Sequence, residues 1–167
     1  EVKRASRYGD PLVLVLLQVH LFKNYTDARE EVPGESLNRQ IGVILRQLLR
    51  ASDVACCLGD GRFAVVLTET GSEGGVKFTE RLRRAIETFP FSDASLASGA
   101  VVALSVGLAG LTDTTPSMDD VAHEIWQRAE QMLAKSKANR DNKSRRYLTV
   151  ISNYKEEKND GPKLKSG

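Results

Sequence analysis

The chain has two cysteines and two histidines in 167 residues, which leaves little from which to build a metal centre or a disulfide framework. The cysteines are neighbours, Cys56 and Cys57. On a strand, adjacent side chains point to opposite faces, so these two cannot close on each other, and no metal-ligand spacing surrounds them. They read as reduced packing residues, and the setting as reducing and cytoplasmic. With only His20 and His123 in the chain, a histidine metal site has no more support, and His20 on an apolar strand reads as a satisfied core or edge histidine. Long apolar runs are lacking too. The longest, Leu12 to Leu17, falls far short of the about 20 residues a membrane helix needs. Charge of one sign is missing as well: 24 basic against 22 acidic side chains leave a net +2, so the surface as a whole does not attract nucleic acid and any anion site must be local. There is no internal repeat and no signal peptide, and a chain that begins Glu1-Val2-Lys3 reads as part of a longer protein.

What is present suits one domain with a sizeable core: 41% hydrophobic and 28% charged residues. Residues 1–10 read as the end of a helix or linker. Leu12 to His20 is almost continuously apolar, which predicts a strand covered on both faces. Phe22 to Tyr25 is read as the start of a short helix, and residues 28–36 as a polar loop marked by Pro33-Gly34. Leu37, Ile41, Ile44, Leu45 and Leu48 form one helical face that ends near Arg50. Phe78, Leu82, Ala85, Ile86 and Phe89 mark a second helix, closed by Pro90. Ala100 to Leu108 reads as a strand broken at Gly107 and Gly110. Ser117 to Asp120 resembles a capping box ahead of a third helix with Val121, Ile125, Ala129, Met132 and Leu133 inward. Tyr147 to Ile151 is a closing strand, and the Lys-, Glu- and Gly-rich residues 153–167 read as a disordered tail.

The centre of the chain is the segment from Arg50 to Leu67. Val54–Leu58 and Phe63–Leu67 are apolar and flank Gly59-Asp60-Gly61, a strong hairpin signal because glycine takes positive φ without steric cost. The resulting order is strand, helix, hairpin, helix, strand, helix, strand. That is an α/β layered domain with a mixed central β-sheet flanked by helices.

Several segments together resemble one family. Leu17 to Lys23 resembles an L-D-x-D-x-F-K segment, and Arg50 to Phe63 resembles R-x-x-D, five residues, then G-G-D-E-F. Ser105 to Ala109 resembles S-I-G-I-A, and Ala129 to Lys137 resembles the late A-D-x-A-L-Y-x-A-K helix, with Asn142 where that family has the Asn of G-R-N. Over residues 11–152 the chain is similar to a GGDEF domain, the fold of diguanylate cyclases. The resemblance implies a nucleotidyl-cyclase-like fold and a chemistry in which two GTP molecules condense to cyclic di-GMP with carboxylate-held divalent metal.

Departures from the pattern imply that the chemistry is absent. Gln18 and His20 stand at the family's two acidic positions on the first strand. The signature reads Gly59-Asp60-Gly61-Arg62-Phe63, with Gly61 and Arg62 in place of both acids. An amide and a cation do not make an oxygen cage for Mg²⁺, so no catalytic residue, no metal and no cofactor are expected. Arg62 is read as a solvated hairpin residue. At the guanine-reading positions Thr26 and Glu35 replace Asn and Asp.

What survives is Arg50-x-x-Asp53, the family's inhibitory-site motif for cyclic di-GMP, with Arg81 in Thr79-Glu80-Arg81-Leu82 matching the arginine that the following helix adds. Arginine donates two hydrogen bonds to guanine O6 and N7, and a carboxylate accepts from the opposite guanine edge. As a bare tetrapeptide the pattern also describes a surface ion pair worth about 0–1 kcal/mol. The reading is a non-catalytic cyclic di-GMP receptor in which an intercalated ligand pair clips two copies or neighbouring domains together. The alternatives are a structural or dimerising module inert to nucleotide, and GTP binding without turnover through Thr26, Glu35 and Lys137.

Overall fold

The computed structural model describes residues 1–22, 30–91, 101–111, 120–142 and 149–152. Its elements are α1 (Val2–Tyr8), β1 (Leu12–Phe22), β2 (Glu30–Glu31), α2 (Glu35–Leu48), β3 (Val54–Gly59), β4 (Arg62–Thr68), α3 (Ser72–Thr88), β5 (Val101–Gly110), α4 (Val121–Asn142) and β6 (Thr149–Ser152). The strands form one sheet in the order β3-β4-β1-β5-β6, with β2 paired to the end of β1. Every pairing is antiparallel except β5 with β6, so the sheet is mixed, as the element order predicts.

The apolar run of β1 is buried over all of its eleven residues because both faces are covered. Strand alternation divides it cleanly. Val13, Val15, Leu17, Val19 and Leu21 join Phe63, Val65 and Leu67 of β4 under α2 and α3. Leu12, Leu14 and Leu16 turn the other way and pack with Ala5 of α1 and Ile125, Ala129 and Leu133 of α4. Residues 1–10, read as the end of a helix or linker, thus include a helix whose Ala5 sits in this second core layer.

The structure alters several local readings. Phe22 closes β1 opposite Val101 and Glu30 instead of starting a helix; residues 23–25 lie outside the described residues. The polar stretch 28–36 contains β2 and the first two residues of α2, since Glu30 and Glu31 pair with Phe22 and Leu21 on the side of β1 where the pairing with β4 has ended at Gln18. Gly107 does not break β5. A Cβ at this position would run into the backbone of Ala129 and Leu133, so glycine is what lets α4 lie directly on the strand. Cys56 and Cys57 are exposed and are not packing residues, because β3 is the edge strand and all six of its residues are solvent-accessible. Residues 117–119 of the expected cap, and the tail 153–167, fall outside the described residues. No described helix is long and apolar enough to cross a membrane.

Two glycine substitutions should therefore act in opposite directions. Gly107→Ala forces a methyl into the α4 backbone and should cost about 1–3 kcal/mol in urea denaturation, the usual range for overpacking. Gly42→Ala, mid-helix with nothing within 4 Å of its added Cβ, should instead gain about 0.5–1 kcal/mol. Equal midpoints for the two variants would contradict this account of α4 packing.

Candidate functional site

The hairpin tip is a two-residue loop, Asp60-Gly61, flanked by the pair Gly59 and Arg62. Both loop residues have positive φ, 48° and 73°, the requirement of the turn type that matches strand twist. The tip is fastened to β1. Val19 donates its N–H to the Gly61 carbonyl at 2.8 Å, and the Gln18 amide donates to the Asp60 carbonyl at 2.9 Å. Gln18 Oε1 accepts in turn from Lys137 Nζ of α4 at 3.4 Å. Arg62, directly opposite Gln18 in the register, reaches α4 as well and pairs with Glu130. It is half-buried and ion-paired, not the solvated hairpin residue that the sequence suggests, because even-numbered β4 residues face the α4 side. His20 is buried, with its Nε2 2.9 Å from Ser105 Oγ, which fits a satisfied core histidine.

Arg50 and Asp53 bracket the turn that leads from α2 into β3. The link between them is not an ion pair. Asp53 Oδ2 accepts the Arg50 backbone N–H at 2.9 Å, and its Oδ1 accepts the Thr68 N–H of β4 at 3.2 Å. The carboxylate therefore closes the turn and ties it to the hairpin, with acceptor capacity left on both oxygens. No hydrogen bond or ion pair holds the Arg50 guanidinium to another described residue. Arg81, exposed on α3, donates to the Leu48 carbonyl at 3.1 Å. A cation there complements the negative end of α2, and its partner Leu48 lies two residues before Arg50. The three residues singled out from sequence thus converge on one helix end.

A groove of about 620 Å³ runs from this turn along α2, between that helix and β3. Leu45, Ala55 and Phe63 supply its apolar lining, and three arginines, Arg39, Arg46 and Arg50, with two carboxylates, Glu35 and Asp53, its charge. Sequence reading missed Arg39 and Arg46; their signal was the spacing of exposed arginines along the polar face of α2. Glu35 opens the helix and bonds Arg39 at 2.5 Å, which holds its carboxyl below the usual carboxylate range. Thr26 and Lys23 lie outside the described residues, and Asn142 ends α4. Among the described residues no three His, Cys, Asp or Glu side chains cluster in a way that could hold a metal ion.

A mixed sheet with helices on both faces and a tight hairpin beside the central strand is a nucleotidyl-cyclase-like architecture. Residues 1–143 match the family described as diguanylate cyclase, GGDEF domain, and the chain belongs to it. It is similar to the response regulator PleD of Caulobacter vibrioides, 27% identical over 82% of this chain and 29% of PleD. It is also similar to the diguanylate cyclase DgcP of Pseudomonas aeruginosa, 32% identical over 84% of this chain and 20% of DgcP. The chain therefore spans less than a third of either relative. Among solved structures, the GGDEF domain of DgcB from Caulobacter crescentus, in complex with c-di-GMP, superposes with a TM-score of 0.66 at 19% identity, covering 87% of this chain and 78% of that one. The domain is thus related to proteins of cyclic di-GMP signalling.

The bonding of Asp53 separates its structural role from any role toward a ligand. Asp53→Ala strands two backbone N–H groups and should lower stability by about 1–2 kcal/mol, as loss of a cap does. Asp53→Asn keeps one acceptor and should cost less. Arg50→Ala should leave the urea midpoint unchanged, and a loss equal to that of Asp53→Ala would show an ion pair after all.

Proposed function

We propose that this domain is a non-catalytic receptor for cyclic di-GMP, bound at Arg50, Asp53 and Arg81. The observation that carries the reading is an exposed, unpaired Arg50 guanidinium on the same turn as a carboxylate with acceptor capacity to spare, with Arg81 drawn to the same helix end. Arg50 offers guanine O6 and N7 two parallel donors, Asp53 accepts from the guanine N–H edge, and Arg81 supplies charge for a phosphate.

The absence of catalysis rests on donor chemistry. The metal that the family uses would need carboxylate oxygens from β1 and from the hairpin. In this chain those positions hold an amide bonded to Asp60 and Lys137, a glycine, and a guanidinium paired with Glu130. This donor set does not fit a divalent cation. The hairpin has also settled around its substitutions. At Gly61, with φ 73°, an added Cβ would lie 2.7 Å from Pro33 Cγ and 3.0 Å from the Val19 carbonyl oxygen. Restoring an acidic side chain there is strained, so Gly61→Asp does not recover a metal ligand cheaply.

Calorimetry with cyclic di-GMP and GTP in parallel tests the proposal. Cyclic di-GMP should bind, and Arg50→Ala should weaken it about ten-fold to more than a hundred-fold, since a bidentate guanine contact is worth about 1–3 kcal/mol. Arg81→Ala and Asp53→Asn should weaken it too, whereas Arg4→Ala, on the α1 side of the sheet, should not. Incubation with GTP and Mg²⁺ should yield no cyclic di-GMP above a buffer blank. Silence with both nucleotides would leave a structural or dimerising module. A GTP signal abolished by Glu35→Ala would favour GTP binding without turnover, and turnover by pure protein would sink the non-catalytic reading.

A further inference from the structure

An apolar edge strand beside two arginines that have no partner among the described residues is a surface built to take something. β3 ends the sheet, and among the described residues nothing pairs with its outer side. Edge strands in soluble proteins are normally blunted by charge, proline or a covering element. This one, Val54-Ala55-Cys56-Cys57-Leu58-Gly59, carries neither proline nor charge, and every residue in it is exposed. Its two faces differ. Ala55 and Cys57 lie opposite Val65 and Phe63 and so face α2. Val54 and Cys56 lie opposite Val66 and Ala64, on the side of α1 and α4, but neither helix covers them there: Val54 is 50% exposed and Cys56 is exposed too. On the α2 side, Arg46 and Arg50 line the groove and neither guanidinium is bonded to another described residue, whereas its two carboxylates are engaged, Glu35 with Arg39 and Asp53 with the Arg50 and Thr68 N–H groups. Between Arg39 and Arg46 the helix has Gly42, where a Cβ would meet nothing within 4 Å, so the groove stays wide enough for a backbone.

We propose that β3 and the α2 groove bind an extended segment of a partner protein as an added strand, with acidic side chains on one face and apolar side chains on the other. A strand added at about 4.8 Å from β3 satisfies the free N–H and C=O groups of the edge. Its alternate side chains then fall on opposite faces. Those on the α2 side meet Arg46 and Arg50, which selects carboxylates. Those on the other side cover Val54 and Cys56, which selects aliphatic groups. Charge complementarity disfavours a second copy as the occupant. In an antiparallel pairing centred between Cys56 and Cys57, Asp53 of one copy would face Asp60 of the other.

The test is fluorescence anisotropy with the 167-residue chain and a labelled, blocked hexapeptide of alternating glutamate and valine, at low salt. Binding should be saturable and weaken as salt is raised. Three changes should each weaken it about ten-fold or more: Arg46→Glu in the protein, lysine for glutamate in the peptide, and N-methylation of alternate peptide amides, which blocks strand pairing. Circular dichroism checks that Arg46→Glu is folded. Because Arg46 is not one of the nucleotide-binding residues proposed above, cyclic di-GMP calorimetry on the same variant separates failure of this proposal from failure of that one. The proposal is overturned if the glutamate peptide does not bind, if the lysine or N-methylated peptide binds equally well, or if Arg46→Glu has no effect. It is also overturned if the chain alone sediments as a dimer that Val54→Lys dissociates, since a second copy then owns the edge.

Discussion

Everything in this domain hangs from β1, a strand paired on both sides and covered on both faces. β4 and then β2 pair with one side of it and β5 with the other, and its alternating side chains split between two core layers. Burial on both faces is the largest favourable term available to a strand, at about 25 cal/mol per Å² of apolar surface removed from water. The consequence is positional. Once β1 is fixed, β4 is fixed beside it, and the hairpin tip must project past the end of β4 next to Gln18. The turn at Arg50–Asp53 is held at the other end of the same hairpin through Thr68. One rigid ladder therefore places both the signature hairpin and the arginine-bearing turn.

At the tip, polar residues bond to one another. Gln18 spends its amide on the Asp60 and Val19 carbonyls and accepts from Lys137, while Arg62 crosses to Glu130. A half-exposed pair of this kind contributes little free energy, yet it commits the guanidinium to a partner inside the fold. The substitutions of the signature are thus mutually consistent. A cation at position 62 has an anion across the interface in α4, and an amide at position 18 has donors and acceptors that match its two ends. Consistency across neighbouring positions is what a folded chain with a settled local structure displays.

The elements that sequence reading located are those whose signal is local. The hairpin announces itself through Gly59-Asp60-Gly61 between apolar runs, and α2 through Leu37, Ile41, Ile44 and Leu45 on one face. The convergence of Arg50, Asp53 and Arg81 was legible because motif spacing pointed to it. What could not be read is set by neighbours distant in the chain. Cys56 and Cys57 sit in an apolar strand, yet are exposed, because that strand ends the sheet and the helices on neither face extend over it. Gly107 resembles a strand breaker until α4 lies against it. The bond from Asp53 to Thr68 spans 15 residues and that from Arg62 to Glu130 spans 68, so no local pattern encodes either.

The cations at the hairpin tip and those at the end of α2 differ in what they are bonded to, and the difference bears on where ligands act. On the α4 side, Arg62 and Lys137 are committed to Glu130 and Gln18. On the α2 side, Arg46 and Arg50 face a groove with an apolar floor and have no partner among the described residues. An anion approaching the α4 side must break an existing pair before it gains a new one, and its net benefit is a difference between two similar terms. An anion approaching the α2 side desolvates a guanidinium but breaks nothing, and meets apolar surface where its uncharged part can be buried. On this ground the proposed ligands, a nucleotide or an acidic strand, are assigned to the α2 side. The same argument ranks Arg50 above Arg62 as the residue whose loss changes binding, because only a guanidinium without an internal partner has its full hydrogen-bonding capacity to give.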